Sequence, residues 1–152
     1  MLINSRLCPI DLVANSRILE SFSMGLIDQN LKLIDGLLDE EGVFYGRKKT
    51  FFLAKLNSCF HEMKCRDYFI CINKGISTGN LPGAELIEVR FIPDDSPEAF
   101  DFSKTKKLGE PAEDGEVVFR FSAQFKEGKI YKLVSPQEWL NCEAIESRMR
   151  FN

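Results

Sequence analysis

The spacing of apolar residues changes once along this chain, and that change limits the possible folds more than any other feature. Before Arg66 apolar residues recur at three-, four- and seven-residue steps; after it they alternate. Steps of three and four put side chains on one face of a helix, whereas alternation puts them on one face of a strand. Helices followed by strands predict an α+β domain whose sheet curls over the helices. At 152 residues the chain suits a single domain over residues 1–152, because division would leave neither part enough residues for a core.

The stretch from Leu31 to Met63, LKLIDGLLDEEGVFYGRKKTFFLAKLNSCFHEM, organises the rest. Ahead of it, residues 1–9 read as a tail or docking strand. Leu12, Leu19, Phe22 and Leu26, with Ile18 and Ile27 widening the stripe, predict a first amphipathic helix from about Leu12 to Asp28. Gly25 weakens its last turn by about 1 kcal/mol relative to Ala, and Asp28-Gln29-Asn30 offers a break and an N-cap. Leu31, Ile34, Leu37 and Leu38 make a shorter second helix, expected to end in Asp39-Glu40-Glu41 with Gly42 as its C-cap. Val43-Phe44-Tyr45 reads as a brief extended link closed by Gly46. The third helix, about Lys48 to Lys64, carries Phe52, Leu56, Cys59, Phe60 and Met63 on one face.

Charges around the link oppose the helix dipoles on this reading. Acids close one helix and Arg47-Lys48-Lys49 open the next, at a cost of about 0.3–1 kcal/mol per exposed charge. Their signs are opposite and they lie a few residues apart. Mutual pairing across the link is therefore preferred to an anion site at the helix start.

Beyond Arg66 the strands begin. Tyr68 to Ile72 is the first, Gly75 to Gly83 a turn-rich loop, and Glu85 to Ile92 the second, with Ile87, Val89 and Phe91 on one side. Pro93 to Pro97 interrupts pairing, Ala99 to Phe102 is expected to pair briefly, and Ser103–Gly115 reads as a loop or irregular edge. In Glu116 to Lys126, Val117, Phe119, Phe121, Ala123 and Phe125 face one way and Arg120, Ser122 and Gln124 the other. Glu127-Gly128 turns this strand into a hairpin with Lys129 to Val134. Ser135 to Leu140 is expected to close the chain and tuck Trp139 against the sheet.

Composition excludes several functions. The net charge is −3 with acids and bases interspersed, so no basic field awaits a phosphate backbone and no nucleic-acid partner is expected. No apolar run approaches the roughly 20 residues of a membrane span, and the N-terminus lacks the order of a signal peptide. A cytoplasmic location is expected. Five scattered cysteines, Cys8, Cys59, Cys65, Cys71 and Cys142, suit free thiols in a reducing compartment better than a disulfide framework.

The break Asp28-Gln29-Asn30, then LKLIDGLLDEEGVFYG leading into KKTFFLAKLNSCFHEM, resembles a bacterial-type member of the nuclear-transport-factor-2-like superfamily. The resemblance spans nearly the whole chain as an order of elements, and about residues 26–64 as residue pattern. It implies three N-terminal helices packed in the concave face of a strongly curved antiparallel sheet of four to six strands. It also implies a cavity between the third helix and that face, and commonly a homodimer through the sheet. It says little about reaction, because the superfamily holds transport factors, isomerases, cyclases, dehydratases and association domains. Its enzymes place Asp, His or Tyr pairs inside the cavity, and no such pair maps onto this chain, which has one His.

On this basis the cavity lining is expected from Phe22, Phe44, Tyr45, Phe52, Leu56, Phe69, Phe91, Phe119 and Phe121, with Tyr45 and Tyr68 as polar handles. Thirteen Phe suit an apolar cavity or a packed core alike. Cys59 and His61 project about 200° apart on a helix and cannot share an ion. His61 and Cys65 share a face only if the helix outlasts Lys64, and no C-x-x-C pair supports zinc. Gly75, Gly79 and Gly83 are turn residues, since no Gly-Lys-Ser/Thr follows them. Glu88, Arg90, Arg120, Ser122 and Gln124 form a mixed sheet face, read as cross-strand ion pairing at the surface or in a dimer interface. A carboxylate-binding pocket is the sharper alternative.

Three functions follow. The first is a non-enzymatic domain that holds a small apolar or amphipathic molecule in the cone, as a homodimer. The second is a small-molecule isomerase, cyclase or dehydratase using Tyr45, Tyr68 or His61 as proton donor or acceptor. The third is an association module working through its sheet face. The first is the expectation; no catalytic residue is assigned, and neither a metal nor a cofactor is expected.

Overall fold

The computed structural model describes residues 9–77, 81, 84–95, 107–135 and 145–147. Helix α1 (Pro9–Ile27) buries Leu19, Phe22 and Leu26, the stripe read from the sequence. Gly25 has a packing reason: a Cβ there would stand 2.7 Å from Ile34 Cγ1, so its absence lets α2 (Leu31–Leu37) lie close. Asn30 caps α2, its Oδ1 accepting from the Leu33 N–H at 3.1 Å.

The second helix stops earlier than expected. Leu38 is already extended (φ −97°, ψ 138°), and Leu38–Phe44 is strand β1. Asp39, Glu40 and Glu41 are thus strand residues, and Gly42 is not a helix cap. The reason is tertiary, since β1 pairs in parallel with β5 (Lys129–Val134), Leu38 opposite Ile130 and Phe44 opposite Leu133. The expected charge pairing is present. Lys49, at the start of α3 (Lys49–Met63), reaches Glu40 Oε1 at 2.7 Å, and Asp35 Oδ1 at 2.8 Å is a further partner. Helix α3 buries Phe52, Leu56, Cys59, Phe60 and Met63, as its spacing dictates.

The remaining strands are β2 (Tyr68–Ile76), β3 (Glu85–Pro93), β4 (Val117–Lys126) and β6 (Ile145–Ser147). Sheet order is β1-β5-β4-β3-β2, with β6 pairing with the first part of β4 on the side of β5. All pairs are antiparallel except β1–β5, so the sheet is mixed rather than purely antiparallel. Register shifts between Gln124 and Phe125 of β4 and between Leu38 and Val43 of β1 are irregularities of the kind that bend a strand. Glu127 (φ 51°) and Gly128 (φ 79°) make the tight β4–β5 turn.

The helices cover one face of this curved sheet. Ile87, Val89 and Phe91 of β3, with Val117, Phe119 and Phe121 of β4, meet the stripes of α1 and α3 in one core. This is the cone-like α+β architecture that the resemblance implies. Among the described residues no helix is long and apolar enough to cross a membrane. The tail before residue 9, the pairing expected at Ala99–Phe102 and the closing turn with Trp139 lie outside the described residues.

Candidate functional site

The residues expected to line a cavity mostly meet each other. Phe22, Phe44, Tyr45, Phe52, Leu56, Phe91, Phe119 and Phe121 share the core. Phe22 stands edge-on to Phe121 at 4.9 Å, Phe44 stacks on Phe52 at 5.6 Å, and Phe91 is edge-on to Phe119 at 5.8 Å. Phe69 is a correction. It is 41% exposed and lies opposite Ile92 on the sheet face away from the helices, while Ile70 takes the inward place opposite Phe91. Strand alternation leaves no other choice once Tyr68 and Ile70 point in.

The titratable candidates do not converge. The Tyr45 hydroxyl is buried and donates to the Arg120 carbonyl at 3.3 Å, and burial holds its pKa well above 10.0. Tyr68 is half-buried, edge-on to Phe91 at 5.9 Å, its pKa raised chiefly by burial. His61 is exposed on α3. Cys59 faces the core beside Met63, and burial, aided by the charge of Glu62 and opposed by Lys55, pushes its thiol up to about 12. Among the described residues no group of three His, Cys, Asp or Glu side chains is placed to hold a metal ion.

A groove of about 250 Å³ opens between α1 and the β2–β3 edge. Ser16, Glu20, Ser23, Met24 and Ile27 line it from α1, at the three- and four-residue steps of one helix face. Ile72 and Lys74 of β2 and Glu85 and Ile87 of β3 complete it. None of the nine residues expected to line the cavity belongs to this groove. Met24, Ile27, Ile72 and Ile87 supply apolar surface, and Ser23 Oγ is occupied by donation to the Leu19 carbonyl at 2.9 Å. Lys74 sits across from Ile87 and Glu85 across from Ile76, so Lys74 and Glu85 are diagonal neighbours on one face. Among the described residues Glu20, Lys74 and Glu85 make no ion pair. Of this set the sequence singles out Ile27, as widening the α1 stripe, Ile87, on the apolar side of its strand, and Ile72, within the first strand; packing brings them together with the rest.

The mixed sheet face is also corrected. Its ion pairs exist, but Glu88, Arg90 and Arg120 are 0%, 0% and 6% exposed, beneath the chain's own segment 107–116 rather than at a surface. Glu88 Oε1 accepts from Asn73 Nδ2 (3.1 Å) and Arg90 Nη2 (3.2 Å), and Oε2 from Arg120 Nε (2.7 Å) and the Gly109 N–H (2.9 Å). Arg90 Nη1 donates to Glu116 Oε1 at 2.8 Å, and Arg90 Nη2 to the Glu110 carbonyl at 2.7 Å; Arg120 Nη2 donates to that carbonyl too. Burial alone would raise the Glu88 pKa, but the Gly109 and Arg120 hydrogen bonds and the two guanidinium charges hold it below its ordinary value. Both guanidinium groups are committed to internal acceptors, so this face is a clamp on residues 107–116 rather than an open carboxylate pocket.

No protein-family model matches the chain, and no curated protein does. Among solved structures it is similar to an LEH-like epoxide hydrolase of M. tuberculosis, at 17% identity over 80% of each chain with a TM-score of 0.43. It is also similar to a protein described as a polyketide cyclase from Pseudomonas putida, at 15% identity over 82% of this chain and 91% of that one, TM-score 0.39. At these TM-scores neither likeness bears on what this chain binds.

Proposed function

We propose that this chain is a binding domain that takes a small amphipathic molecule in the groove between α1 and the β2–β3 edge. One observation carries the reading: an apolar lining of Met24, Ile27, Ile72 and Ile87 beside charged side chains that make no ion pair among the described residues. Small-molecule sites combine those features, and their usual volume of roughly 300–1,000 Å³ starts just above that of this groove. The ring packing inside the cone supports placing the molecule at this groove rather than among the phenylalanines. Binding rather than catalysis is supported by the positions of Tyr45, Tyr68 and His61, none of which lines the groove.

Titration with 1-hexanol, followed by methyl NMR, tests this. Shifts are expected at Ile27, Ile72, Ile87 and Met24, and Ile72→Asp should abolish them while leaving the fold intact, since Ile72 is 45% exposed. Shifts concentrated on the core residues Ile34 and Ile130, or no shifts at all, would overturn it.

A further inference from the structure

We propose that the molecule held in this groove carries a primary ammonium group on its apolar body. The inference rests on the groove being the binding site and adds the chemistry of the head group. Glu20 comes from α1 and Glu85 from β3, so acidic residues line the groove from both of its sides, and Lys74 is the one basic residue among the described lining. The described lining therefore carries two carboxylates against one ammonium.

Lys74 and Glu85 are diagonal neighbours, a separation long side chains can span. Lys74 is thus placed to screen Glu85, whereas Glu20 stands on the opposite wall, on α1. Arg90 of β3 and Arg120 of β4 are on the other face of the sheet and donate to Glu88, Glu116 and the Glu110 carbonyl. A cationic head thus meets two attractions and one repulsion, and an anionic head the reverse.

Among the described residues the lining contains no aromatic ring. Quaternary ammonium groups are recognised by aromatic faces, so that class is disfavoured. A primary ammonium offers three N–H donors to carboxylate acceptors, which is what Glu20 and Glu85 can receive. At roughly 30 Å³ per water-sized group the groove holds about eight non-hydrogen atoms, the size of a short alkylamine.

Three probes of equal chain length separate this from the broader reading: n-hexylammonium, 1-hexanol and n-hexanoate, each titrated by methyl NMR at low salt. Hexylammonium should bind at least about fivefold more tightly than hexanol, the effect of roughly 1 kcal/mol from exposed charges, and hexanoate more weakly than either. The double variant Glu20→Gln with Glu85→Gln should erase the preference for hexylammonium over hexanol. Lys74→Gln should strengthen hexylammonium. Equal binding of all three probes, or tighter hexanoate, would overturn the head-group inference and leave the groove as an apolar site. Failure of all three would overturn both.

Discussion

Glu88 and Arg120 face each other across β3 and β4, joined by a 2.7 Å hydrogen bond from Arg120 Nε to Glu88 Oε2, with both side chains buried. Arg90 and the Gly109 N–H close on the same carboxylate. One acidic side chain therefore ties two strands to the segment that covers them.

Replacing Glu88 by Gln keeps the volume and removes the charge that the two guanidinium groups share. Removing one member of a buried ion pair costs about 3–5 kcal/mol, and E88Q should lose roughly that in urea unfolding. Amides of residues 107–116 should exchange faster in E88Q while those of α3 keep their order. A loss no larger than the roughly 1 kcal/mol of an exposed pair would show that the cluster does not clamp this segment.

Acid should act through the same group. The folded pKa of Glu88 lies below its ordinary value of 4.5. A carboxylate shifted in this direction contributes stability that is fully present above the unfolded pKa and lost as pH falls through the folded one. Urea midpoints taken from neutral pH down to about pH 3 should therefore drop in the wild type, and its advantage over E88Q should shrink. Parallel curves for the two proteins would count against this assignment.

Phe121, 1% exposed and edge-on to Phe22 at 4.9 Å, is packed as core. Phe121→Ala should cost about 3–5 kcal/mol, which for a chain of this size lowers the melting temperature by roughly 10 °C. A side chain bordering an open cavity would lose much less, so calorimetry distinguishes a filled cone from a hollow one.

Two glycines should respond in opposite ways. A Cβ on Gly42 would fall 2.5 Å from Phe44 Cζ and 2.6 Å from the Tyr131 carbonyl oxygen, and the latter is backbone that cannot turn aside. Gly42→Ala should destabilise by about 1–3 kcal/mol, the usual cost of overpacking. Gly36, within α2, has nothing within 4 Å of its Cβ position. There Ala should stabilise by roughly 0.5–1 kcal/mol through helix propensity and reduced unfolded-state entropy. Chemical denaturation of both variants checks the pair.

Helix α3 and the inward face of β4 were legible because each repeats one spacing over several turns or pairs, and burial follows directly from it. Strand β1 was not. Leu37 and Leu38 continue the helical spacing of Leu31 and Ile34, and only pairing with β5 near the far end of the chain makes Leu38 extended. The phenylalanines presented a similar ambiguity, since apolar area does not say whether another ring or a ligand will cover it.

The residues by themselves determined the change of period at Arg66, and with it the three helices, the strands that follow α3 and the side of each that is apolar. Those are local properties, set by how side chains project from a helix or a strand. Tertiary structure alone decided what lies against each surface: segment 107–116 over the charged face, ring on ring inside the cone, and α1 beside the β2–β3 edge. Such contacts join residues far apart in the chain, and their geometry follows from how the whole sheet curves, which no local spacing encodes.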